Sequence, residues 1–106
     1  MKPPSECRSL AEVRAEIDHL DDQIVTFLGR RAEYVYAAAR FKTTEASVAA
    51  PDRLQAMLEV RRTWAEREGL APDFVESLYR AIVAYFIARE TEEWRNVVSN
   101  NRTGPD

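Results

Sequence analysis

Apolar residues recur at three- and four-residue steps along most of this chain, and the apolar/polar alternation of a half-buried strand is absent. Leu10, Val13, Ile17, Leu20, Ile24, Phe27 or Leu28, Arg31, Val35 and Ala38 form one stripe, which predicts a first helix over 9–42. Ser9 followed by Glu12 marks its start as a capping box. The hydroxyl accepts from the third helical amide while the carboxylate reaches back. Leu54, Met57, Leu58, Arg61 and Trp64 predict a second helix over 51–68, opened by Pro51 and Asp52 and stopped by Gly69. Phe74, Val75, Leu78, Tyr79, Ile82, Val83, Phe86, Glu90 and Trp94 predict a third over 72–98. Residues 1–8 read as a short arm, 43–50 as a loop of small and polar residues, and 99–106 as a disordered polar tail. The fold class is all-α, three helices in the order long, short, long.

The first predicted helix is about 45 Å long at roughly 1.5 Å per residue. Two shorter helices of one chain cannot cover such a length, so the excess calls for a partner subunit or stands in solvent. At 106 residues the chain has the size of one domain. Its 45% hydrophobic content builds a core, although a modest one for a lone bundle. The formal net charge of -3 speaks against nucleic acid, which is gripped by clustered, uncompensated lysine and arginine. No apolar run approaches the roughly 18 residues of a membrane span, and MKPPSECRSL has no secretory h-region. A lone cysteine, Cys7, fits a reducing compartment. The expectation is a cytoplasmic protein.

Charge changes the picture between residues 31 and 53. Arg31 falls inside the apolar stripe of the first helix, Lys42 at the mouth of the loop and Arg53 on the first turn of the second helix. Cations on inward faces suggest a small anionic ligand held between helices. Arg31 and Lys42 are 11 residues apart and so point nearly the same way, roughly 16 Å apart along a helix. Two long side chains leaning together can grip a ligand between them. Arg14 precedes Arg31 by 17 residues and lies roughly 25 Å away along the same axis. It can join that site most economically from the other copy in a symmetric dimer. Glu90 stands four residues after Phe86 and four before Trp94, on the apolar face of the third helix. A carboxylate there either pairs with a cation or, when desolvated, holds its proton more tightly.

Each of these residues also has a plainer structural account. An arginine in a helical stripe is more often a snorkelling edge residue than a ligand clamp. A lysine beside a loop is more often simply solvated, and Arg14 has Asp18 four residues on as an ordinary surface partner. Glu90 can equally bond Arg89, Arg61 or Arg62 where helices cross. Asp18, His19, Asp21 and Asp22 make a solvated acidic face rather than a metal site, with one histidine and no spaced partner. Cys7 and His19 show no nucleophile arrangement. Trp64, Trp94, Tyr34, Tyr36, Tyr79 and Tyr85 fall at helical spacings that suit core and subunit contacts. Individually the motifs are weak, and together they are more specific.

The segments CRSLAEVRAEID, LGRRAEYVYAAARFK, TEASVAAPDRLQAML, WAEREGLAPDFVESLY and YFIARETEEWR together resemble the all-helical chorismate mutase superfamily. Within it they are most similar to the isochorismate pyruvate lyase branch, whose enzymes make salicylate for siderophores. The similarity spans nearly the whole chain apart from the tail. The resemblance implies an intertwined homodimer with two equivalent sites and no metal or organic cofactor. It implies that Arg31 and Arg14 of the partner subunit hold the carboxylates of a dicarboxylate substrate. Lys42 would meet the enolpyruvyl ether oxygen and a carboxylate, from a loop that orders over the ligand. Arg53 would help bind the ring end, and Phe86 and Glu90 complete the substrate-binding set. The implied reaction is a pericyclic conversion of isochorismate to salicylate and pyruvate, with Lys42, Glu90, Arg31 and Arg14 in the catalytic roles and weak chorismate mutase activity beside it. In the mutase branch a carboxylate commonly follows the position of Arg53; Leu54 stands there and favours the lyase. Such lyases usually carry glutamine at the position of Glu90. A glutamate can donate a hydrogen bond only when protonated, which couples activity to its protonation state. The competing readings are a dedicated chorismate mutase and a non-catalytic helical dimer module.

Overall fold

A computed structural model describes residues 1–102 of the chain. Among the described residues there is no strand. A 3-10 turn, Pro4–Glu6, precedes four α-helices: α1 Leu10–Ala39, α2 Glu45–Ala49, α3 Pro51–Arg67 and α4 Pro72–Arg102. The chain divides into two units, Met1–Tyr34 and Val35 onward.

The first unit is the N-terminal arm and most of α1. Ser9 Oγ accepts from the Glu12 amide at 3.1 Å, as the sequence predicts, while Glu12 Oε2 accepts from the Arg8 amide at 2.6 Å. Glu12 therefore reaches one residue further back than in the usual capping box. Lys2 Nζ meets Glu12 Oε1 at 3.1 Å and ties the arm to the helix. The Arg8 amide first, and Lys2 second, hold the Glu12 carboxyl below its ordinary value. Along α1 the apolar stripe is exposed: Leu10, Ile17, Leu20 and Ile24 keep between 46% and 62% of their surface in water. The Arg30 guanidinium lies over the Phe27 ring, 5.7 Å from its centroid.

The second unit begins with the last turn of α1. That helix ends at Ala39, three residues before the predicted boundary. The amides of Arg40, Phe41 and Lys42 turn to the carbonyls of Ala37, Ala38 and Ala39 at 3.0–3.3 Å, so the chain tightens into three-residue turns. The predicted loop 43–50 contains a helix, α2. Thr44 is its N-cap, with an extended backbone and a side chain that accepts from the Ser47 amide at 3.2 Å. Val48 is buried from it. Ala50 ends α2 and opens α3 in a single left-handed residue, φ 36°, unusual for a side chain with a Cβ. Its amide returns to Ala46 and its carbonyl accepts from Leu54.

Pro51 and Asp52 begin α3 as predicted, and Leu58 and Ala65 are its buried residues. The helix ends in a Schellman motif. Leu70 donates to the Ala65 carbonyl at 2.8 Å and Gly69 to Glu66 at 3.2 Å, with Gly69 at φ 74°. Helix α4 packs along α3 and α2, burying Val75, Phe86 and Glu90. Arg62 on α3 bridges to Asp73 at 2.8 Å and Glu76 at 3.2 Å, which fixes the start of α4. The Asp73 hydrogen bond leads the causes that raise the Arg62 pKa further. The predicted end of this helix at residue 98 is too early, since α4 runs on to Arg102. Polar side chains do not stop a helix, and no glycine or proline stands between Pro72 and Gly104. The rest of the predicted tail, 103–106, lies outside the described residues.

Candidate active site

The second unit brings Lys42 and Glu90 together. Three tight turns set the Lys42 backbone, and Trp94 Nε1 donates to the Lys42 carbonyl at 3.0 Å across 52 residues of sequence. The ammonium donates to the Ser47 carbonyl at 3.1 Å. That carbonyl belongs to the last turn of α2, where helical acceptors lack an internal donor and a cation is favoured. The same ammonium lies 3.7 Å from Glu90 Oε1, an ion pair whose lysine is partly open to solvent and whose glutamate is 7% exposed. Phe86, one turn before Glu90 on α4, is also buried. An ion pair between Arg95 and Glu45 joins α4 to the first turn of α2.

The arginines proposed as structural partners of Glu90 have other engagements. Arg62 goes to Asp73 and Glu76. Arg89 is held by Tyr36 first and then by Glu92, which together raise its pKa further. The Arg61 guanidinium lies over the rings of Trp64 and Tyr79, 4.6 and 5.4 Å from their centroids. Lys42 is a cation that the geometry places beside the Glu90 carboxylate.

The other candidates lie on α1 and α3. Arg53 is exposed on the first turn of α3. In the first unit, Arg14 is exposed and Arg31 half-buried on α1. At about 1.5 Å per residue they are roughly 25 Å apart along that helix, too far to share one small ligand. Among the described residues no group of three or more histidine, cysteine or acidic residues is arranged to hold a metal ion. No described helix is long and apolar enough to cross a membrane.

Two features escape a reading by periodicity. Helix α2 has only five residues, too few to show a period, although the Thr44/Ser47 pair is a capping signal that could have found it. Trp94 reads as a core residue from spacing alone, and its indole N–H proves to be the tether of Lys42. Such a contact has no local signature.

Residues 13–91 match the family described as chorismate mutase type II. The chain is 48% identical over 95 residues to the isochorismate pyruvate lyase of Pseudomonas aeruginosa, covering 90% of this chain and 94% of that protein. It is 32% identical over 85 residues to the T-protein of Haemophilus influenzae, covering 79% of this chain and 22% of that longer protein.

Proposed function

The chain belongs to the chorismate mutase type II family, and from that premise we propose that it is an isochorismate pyruvate lyase with weak chorismate mutase activity. The observation that carries this reading is the 48% identity to a lyase across nearly the full length of both proteins. The placement of a lysine ammonium beside a buried carboxyl supports it, because the reaction needs a polar contact at the ether oxygen.

The chemistry conserves atoms without a nucleophile or a base. One ring C–H bond and the ether C–O bond of isochorismate break, and a C–H bond forms at the enolpyruvyl methylene carbon. The remaining electrons complete the aromatic ring of salicylate and the ketone of pyruvate. The protein has to hold a folded, reactive conformer and stabilise negative charge as it grows on the ether oxygen. Lys42 is assigned to that oxygen, and Glu90 can donate to it as well only in its protonated form. Phe86 forms an apolar wall one turn away. Arg31, with Arg14 of the partner subunit, takes the substrate carboxylates through bidentate pairs that a lysine cannot copy. Arg53 binds the ring end.

A homodimer accompanies this reading. The exposed apolar stripe of α1 supports it, since a second copy would cover Leu10, Ile17, Leu20 and Ile24. The roughly 25 Å between Arg14 and Arg31 on one helix supports donation of Arg14 across the interface. The single free thiol of Cys7 suits the cytoplasm. Purified protein given isochorismate should release fluorescent salicylate, and turnover that rises toward acid would support donation by a protonated Glu90. Prephenate from chorismate without salicylate would instead assign a mutase, and no product from either substrate would refute an enzymatic role on these substrates.

A further inference from the structure

Given the lyase reading, the geometry points to Trp94 as a positioning residue for Lys42, with the Glu45–Arg95 ion pair as a second clasp on the same segment. A lysine head group sits on four flexible methylenes, so its placement depends on a fixed backbone and on partners at the ammonium. Here the backbone is held from α4 by the hydrogen bond from Trp94 Nε1 to the Lys42 carbonyl, 3.0 Å long. The ammonium is held by the Ser47 carbonyl of α2 at 3.1 Å and faces Glu90 of α4 at 3.7 Å. Trp94 follows Glu90 by one helical turn, so successive turns of α4 address the two ends of the same lysine. The next residue, Arg95, pairs with Glu45 in the first turn of α2 and so keeps the Ser47 carbonyl near the ammonium.

These contacts compensate for a weak local structure. Residues 40–42 have only three-residue turns behind them, and α2 is a five-residue helix that could not persist alone. Without the tether from α4, Lys42 would sample many positions, and an error of about 1 Å in a catalytic contact can cost on the order of 100-fold in rate. Trp94 and Arg95 are assigned no contact with substrate. Their effect should fall on turnover rather than on binding, because the carboxylate-binding arginines lie on other elements.

The test compares Trp94→Phe, which keeps the ring and removes the donor, with the unsubstituted full-length protein on isochorismate. Loss of one net hydrogen bond predicts a fall in kcat of about 3- to 10-fold, with KM changed less than about 2-fold and a melting temperature lowered by no more than about 8 °C. Glu45→Arg and Arg95→Glu should each lower kcat, and the double variant should recover most of the loss. Unaltered kcat in Trp94→Phe would overturn the assignment. So would a loss that disappears when turnover is expressed per folded molecule, or a charge-swapped pair that fails to recover. If the unsubstituted protein made no salicylate, the lyase reading would fall separately. The tether would then be decided by trypsin cleavage after Lys42, which Trp94→Phe must accelerate and which, if unaltered, refutes it.

Discussion

Replacing Lys42 by alanine separates catalysis from folding, because its backbone and its ammonium are held by different groups. The tether from Trp94 runs to the Lys42 carbonyl, which alanine retains. The variant loses one hydrogen bond to the Ser47 carbonyl and an ion pair to Glu90 at 3.7 Å. The hydrogen bond is worth about 1 kcal/mol net. The gross attraction of the ion pair is about 4 kcal/mol at an effective dielectric near 20, and desolvation of the two heads offsets most of it. Because the variant leaves Glu90 buried without this partner, a total loss of up to about 3–5 kcal/mol follows, at the upper end of single core substitutions. The catalytic loss is separate: removing a preorganised donor from a developing oxyanion costs on the order of 100- to 1,000-fold. Salicylate fluorescence under saturating isochorismate measures kcat, and urea unfolding of the same samples measures stability. Near-normal turnover would refute the role of Lys42. A collapse of the fold would refute the claim that the lysine head group is a functional rather than a structural element.

Three further outcomes are expected. Glu90→Gln supplies a permanent amide donor, so lyase turnover should hold up at neutral and higher pH where the parent declines; superimposable pH profiles would show that Glu90 does not act on the reacting oxygen. Gly69→Ala should destabilise by about 1 kcal/mol through its left-handed backbone alone, since an added Cβ meets nothing within 4 Å. An unchanged urea midpoint would contradict that account. The Glu12 carboxyl is held below its ordinary value by the Arg8 amide and Lys2, so its contribution is present above the ordinary carboxylate range and is lost as pH falls through the lowered value. The stability gap between the parent and Glu12→Gln should therefore close on acidification, as followed by thermal melts, and a gap that widens toward acid would reverse the sign.

The helical periods, the capping Ser9, the opening at Pro51 and the stop at Gly69 were legible in the sequence by itself. Each depends on neighbours within a turn or two: a 3.6-residue repeat, a hydroxyl three residues from an amide, a residue able to take positive φ. The position of Glu90 on an apolar face was legible for the same reason. The resemblance of the whole constellation to the lyase branch came from the same local residues, and the comparisons with known proteins support the family. Only the tertiary structure decided where α1 stops, that α2 exists, and that Lys42 stands beside Glu90. Those outcomes depend on groups brought together from distant parts of the chain, Trp94 on the Lys42 carbonyl and Arg95 on Glu45. Local propensity is weak through residues 40–50, so contacts from α4 determine the conformation there. Periodicity carries no record of which distant donor will reach a given carbonyl, because that is set by how helices pack.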